Sequence, residues 1–125
     1  MHTPSEHPRD FIGYGSNPPQ PDWPHHSRLA LNFVLNYEEG GECTPLDGDP
    51  VSEGYLHEIV GAPPNVGSRN LNVESMYEYG SRAGFWRLHQ LFTAQNLPVT
   101  IFGVATALAR SPEQVAAMKA AGWEI

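Results

Sequence analysis

The feature that most constrains this chain is Leu29–Glu42, LALNFVLNYEEGGE, where an apolar strand runs directly into two adjacent glutamates and two glycines. Leu29, Leu31, Phe33 and Leu35 share one face at period two, while Ala30 and Val34 make the other face apolar as well. This is the pattern of a strand buried on both sides, which places it in an α/β protein with parallel pairing. Asn36, Tyr37, Glu38 and Glu39 then fall at its carboxyl end, where parallel sheets and barrels keep their chemistry. Two carboxylates there cost desolvation and mutual repulsion, which makes them candidate site residues; a solvated turn is the alternative. Adjacent strand-end residues point in different directions, so one carboxylate can face the reaction while the other orients a group, holds a metal or meets solvent. Gly40 and Gly41 fit either a loop drawn close to a ligand or a plain turn. Tyr37 fits a pocket wall or a core or rim aromatic.

The chain has 125 residues with 40% hydrophobic content, enough for one modest domain with its own core. Seven basic against fourteen acidic residues give a net charge of −7, which argues against nucleic acid and anionic membranes as partners. A small neutral or cationic substrate fits better. Cys43 is the single cysteine, so no internal disulfide or thiolate cluster forms. No apolar run approaches membrane-spanning length, and Met1 to Asp22 lacks the apolar segment of a signal peptide, so a cytoplasmic protein is expected.

Residues 1–28 are rich in Pro, His, Gly and Ser and read as an arm, because the prolines of Tyr14 to Pro24 remove donors and fix φ. Gly40 to Asn72 reads as a long functional loop with a short helix at Val51 to Val60. A helix is expected from Ser81, as its cap, to about Gln95, with Phe85, Leu88 and Phe92 at helical spacing and Asn96 and Pro98 as the stop. Val99 to Val104 reads as a second buried strand. Ser111, Pro112 and Gln114 form a capping-box pattern for a last helix, with Val115, Met118 and Ala121 on one stripe and Gly122 as its end. Trp123 to Ile125 reads as a third strand just starting. The order is β-loop-α-β-α, joined by right-handed crossovers. Two strands and a stub are too few for a closed barrel, so residues 29–125 are expected to be an incomplete domain with an open sheet edge.

The six histidines show neither His-x-x-x-His spacing nor a Cys/His cluster, so no zinc site is expected. His2 and His7 sit in the arm, His25 and His26 in a Pro-rich loop, and His57 and His89 read as surface or packing residues. GAPPNVGS, residues 61–68, has no lysine after its second glycine and is not a phosphate-cradling loop. Cys43 has no adjacent base and reads as a poor nucleophile. Arg82, following Tyr77, Tyr79 and Ser81, fits either a fixed cation facing a substrate carbonyl or a structural ion pair.

Four segments in order, PRDFIGYGSNPPQPDWP, FVLNYEEGGE, ESMYEYGSRAGFWRL and LPVTIFGVATALARSPE, resemble the amino-terminal part of the polysaccharide-deacetylase-like (NodB-homology) allantoinases of urate catabolism. In the wider superfamily the first motif reads Thr-Phe-Asp-Asp-Gly, the first Asp acting as base and the second holding a metal. Asn36, Tyr37, Glu38, Glu39 and Gly40 occupy those positions, and each Asp-to-Glu replacement moves a carboxylate by a methylene, which disturbs a tight metal geometry. The resemblance implies the amino-terminal portion of a distorted β/α barrel with parallel strands. It implies a cofactor-independent, metal-free hydrolase that opens the hydantoin ring of allantoin to give allantoate in a bacterial cytoplasm. Glu38, Glu39 and Arg82 are the implied catalytic residues, with Asn36, Tyr37 and Gly40 on the substrate side. A homo-oligomer, a tetramer by resemblance, is expected. A related cyclic-imide hydrolase, a metal-dependent deacetylase, and an inactive fragment or binding module remain the alternatives.

Overall fold

The computed structural model describes residues 8–125, so the readings of His2 and His7 lie outside the described residues. The chain divides into two compact units, one running to Leu31 and the other Asn32–Ile125.

In the first unit, the Asp10 carboxylate accepts from the Ile12 and Gly13 amides, and Pro24–His26 form a single 3₁₀ turn closed by a bridge between Trp23 and Ser27. No α-helix forms between Tyr14 and Pro24, as the prolines dictate.

The second unit is a parallel α/β layer. Strand β1, Val34–Tyr37, pairs in parallel with β2, Thr100–Gly103, in the register Leu35 opposite Ile101 and Tyr37 opposite Gly103. Glu124 continues the ladder on the far side of β2: Ile101 donates to the Glu124 carbonyl at 2.7 Å and Glu124 donates to Val99 at 3.1 Å. The expected strand at Trp123 to Ile125 is therefore a parallel bridge.

Two features of the first strand are corrected. It begins at Val34 rather than Leu29, and Leu29 and Leu31 are exposed. It is also buried on one face only, because helices cover one side of the sheet: Phe33, Leu35 and Tyr37 point into the core, while Val34 is 54% and Phe102 70% exposed on the other side. The core joins Tyr37, Phe85, Val99, Ile101, Ala107, Met118 and Trp123, with Phe85 edge-on to Tyr37 at 5.8 Å between ring centres.

The segment expected as one helix from Ser81 is a longer helical stretch starting earlier. Asn70 caps α1, Leu71–Tyr79, accepting from the Asn72 and Val73 amides. A π-helical turn at Gly80–Gly84 leads into α2, Phe85–Ala94. Ser81 caps nothing; its hydroxyl donates to the Glu78 carbonyl. Asn96, at φ +52°, ends the stretch as expected. A short α3, Ala105–Arg110, precedes α4, Pro112–Ala120, and was not legible in ATALAR. Gly122, at φ +71°, ends α4.

Between β1 and α1 no helix forms at Val51–Val60. Val51 bridges Val66 and Ser52 exchanges hydrogen bonds with Asn65, which holds that part of the loop extended.

Candidate active site

Glu38 and Glu39 leave β1 in a tight turn, in which the Gly41 amide donates to the Glu38 carbonyl at 2.7 Å. Gly40 occupies the third position at φ +93°, a left-handed conformation that favours glycine in a type II turn. Gly41 has no room for a Cβ, which would meet Val104 Cγ1 at 2.5 Å. Arg110, at the end of α3, donates to the Gly40 carbonyl at 2.6 Å and pairs with Asp47 at 2.8 Å. That hydrogen bond holds the Asp47 carboxyl below its ordinary value. The glycines thus serve a turn pinned against α3, the second of the two sequence readings.

The two glutamates share one cleft, and Glu39 extends to two further hollows. Glu38 lines a cleft of about 190 Å³ together with Asn36, Leu56, His57, Met76 and Tyr77. Glu39 borders that cleft, a larger acidic hollow of about 320 Å³, and a small gap between β1 and the π turn. Its carboxylate lies on the backbone of Gly80: a Cβ there would overlap Oε1 and stand 2.7 Å from Cδ. Gly80, the first residue of the π turn, has no side chain and so leaves room for Glu39.

The acidic hollow holds Arg69 and Arg110, both engaged. Arg69 pairs with Glu74 at 2.5 Å, and Arg110 with Asp47 and the Gly40 carbonyl. Neither arginine was singled out in the sequence, since nothing local distinguishes an Arg before Ser-Pro or before an Asn cap.

Two expected site residues lie elsewhere. Arg82 projects into solvent with its side chain 75% exposed and pairs with Glu78 one turn earlier; it borders none of these hollows. The structural-pair reading of Arg82 accounts for its position. Tyr37 is 2% exposed, and its hydroxyl donates to Gln114 Oε1 at 2.6 Å. Burial pushes that hydroxyl up, Ser111 works against the shift and the Glu39 charge adds to it, so it is a protonated donor at neutral pH. An inward side chain on a one-sided sheet packs in the core rather than facing a substrate. Gln114 in turn donates through Nε2 to the Ser81 carbonyl at 2.6 Å. It links the end of β1 to the π turn through α4 and does not reach back to Ser111 as a capping box would.

The loop facing Glu38 is organised by Glu53, a buried residue absent from the sequence reading of the site. Its carboxylate accepts from the Cys43, Gly54, Tyr55 and Leu56 amides at 2.8–3.1 Å. Burial raises its pKa, but the four amides outweigh that and hold it below the ordinary value, so it stays ionised. Tyr77 donates to the Leu56 carbonyl, and its hydroxyl is driven far up, first by burial and then by the charges of Glu53, Glu38, Glu42 and Glu39. The Cys43 thiol is raised by burial and then by Glu53 and Asp49, which agrees with its reading as a poor nucleophile.

Deacetylase chemistry raises the question of a metal. Among the described residues no group of three or more His, Cys, Asp or Glu side chains is placed to hold one. Glu39 reaches toward helix backbone rather than toward imidazoles, so these residues do not form a ligand set and no step is routed through a metal here. Among the described residues, no helix is long and apolar enough to cross a membrane.

A parallel α/β layer with paired carboxylates at a strand's carboxyl end, facing an enclosing loop, defines a β/α-type carboxylate site. No family model matches the chain. It is 59% identical to the protein in the crystal structure of PuuE allantoinase, with a TM-score of 0.84 over 96% of this chain and 40% of that one. It is 58% identical to a probable polysaccharide deacetylase from Pseudomonas aeruginosa PAO1, also with a TM-score of 0.84, over 95% of this chain and 40% of that one. A Schizosaccharomyces pombe protein described as a "putative polysaccharide deacetylase" is 41% identical over 94% of this chain and 37% of its own length. The chain is thus similar in sequence and in its α/β fold to proteins described as an allantoinase and as polysaccharide deacetylases. It spans about two fifths of the length of the proteins it matches.

Proposed function

We propose that this chain carries the base-bearing strand end of a hydrolase that opens the hydantoin ring of allantoin. The observation that carries this reading is Glu38 at the carboxyl end of β1, lining a polar cleft in a chain 59% identical to an allantoinase. Glu38 takes a proton from water, the water oxygen bonds to the ring carbonyl carbon, the ring C–N bond breaks, and the proton passes to the departing nitrogen. Glu39, held against Gly80, fixes the turn and the electrostatics beside Glu38. Asn36, on the same open face of the sheet, supplies an amide suited to a ureido group.

Glu38→Gln keeps size and hydrogen bonding but removes the base. In the full-length protein it should lower allantoin turnover by about two to four orders of magnitude with little loss of stability. Near-normal turnover by a folded Glu38→Gln protein would sink the proposal. A second reading is favoured by the two relatives named as deacetylases: metal-dependent removal of acetyl groups from a glycan. Stoichiometric zinc after dialysis, with acetate release from an acetylated glucosamine oligomer, would establish that reading instead.

A further inference from the structure

His57 holds an unusual position for a residue that reads as a surface or packing histidine in the sequence. It lines the same cleft as Glu38. Its Nδ1 accepts from the Ile59 amide at 3.1 Å, which leaves the proton of the neutral ring on Nε2. Nε2 is buried, and among the described residues it is the one buried side-chain polar atom without a hydrogen-bond partner. Folded proteins rarely leave such a donor unmade, because water has been removed without replacement. The backbone of the loop that presents His57 is anchored by the Glu53 carboxylate and by the Tyr77 hydroxyl on the Leu56 carbonyl.

We propose that His57 Nε2–H is a substrate-binding donor: it takes a carbonyl oxygen of a cyclic amide or ureide held in the cleft beside Glu38. The donor is neutral, directional and placed in a loop built before substrate arrives, so it orients the ring rather than moving a proton. The class of ligand rests on the amide-hydrolysis reading above; the donor's lack of a partner does not.

Two measurements on the full-length protein separate the claims. In the first, His57→Ala should lower kcat/KM for allantoin about tenfold, mainly through KM, the worth of one neutral hydrogen bond. His57→Gln, whose amide nitrogen reaches a similar place, should recover part of it, which a purely structural role would not do. In the second, the Nε2-bound proton of ¹⁵N-histidine-labelled protein is followed by NMR while hydantoin is added. A saturable downfield movement is expected. An unchanged KM in His57→Ala overturns the assignment. So does an Nε2 proton that does not respond to hydantoin, the result expected if a trapped water satisfies it. Absence of allantoin turnover in the wild type, with the hydantoin shift intact, overturns the proposed reaction and leaves the His57 site standing.

Discussion

Tyr37→Phe tests whether the tyrosine next to the two glutamates is a site residue or a beam of the core. The substitution removes one oxygen and leaves the ring against Phe85, so no cavity opens. What is lost is a 2.6 Å hydrogen bond between residues 2% and 7% exposed. A net hydrogen bond contributes about 1 kcal/mol, and the stranded acceptor adds a desolvation cost of similar size. Gln114 cannot turn its oxygen to water without also giving up the 2.6 Å bond from Nε2 to Ser81. The sum is about 2 kcal/mol, which for a chain of this size lowers the melting temperature by roughly 6–12 °C. Thermal unfolding followed by circular dichroism reads the loss, and turnover below the transition reads the site. A fall of less than about 2 °C would refute the packing argument. A turnover loss without destabilisation would return Tyr37 to the substrate side.

Gly80→Ala should preserve the helical stretch, since alanine favours helix, yet lower turnover by displacing Glu39; unchanged kinetics would show that Glu39 can move freely. Glu53→Gln should destabilise the loop by about 2 kcal/mol at pH 7, because four amides lose a charged acceptor. The Glu53 pKa is depressed in the fold, so its contribution is complete above the unfolded value near 4.5 and fades as the pH falls through the lower folded value. The gap between wild type and Glu53→Gln in urea melts should therefore close in acid; a gap independent of pH would contradict this. Arg82→Lys should leave turnover within about twofold, as expected for an exposed pair, and a large loss would restore Arg82 to the site. The uncovered face of Val34 and Phe102 should drive self-association of the 125-residue chain, and a monomer across the concentration range in sedimentation would refute it.

Short-range physics was readable in the chain itself. The alternation of Leu29, Leu31, Phe33 and Leu35 announced β1 although the strand forms only from Val34, the VTIFGV run announced β2, and Asn96 and Gly122 marked helix ends, because period and permitted φ are properties of neighbouring residues. The strand-end position of Glu38 and Glu39 followed from the same pattern. Local pattern failed wherever a side chain had two uses. Ser81 and Gln114 each carried a capping signal, but Asn70 caps the helix, while Gln114 joins Tyr37 to the π turn 33 residues away in sequence from its own position. Burial on one face of β1 was decided by which side the helices cover, which no strand encodes alone. Only the tertiary structure could set Arg82 in an exposed pair with Glu78, bring Arg110 onto the Gly40 turn, assemble four amides on Glu53, lay Glu39 across Gly80, and bring His57 to Glu38's cleft. Those contacts join residues far apart in the chain, and their partners are chosen by packing rather than by sequence spacing.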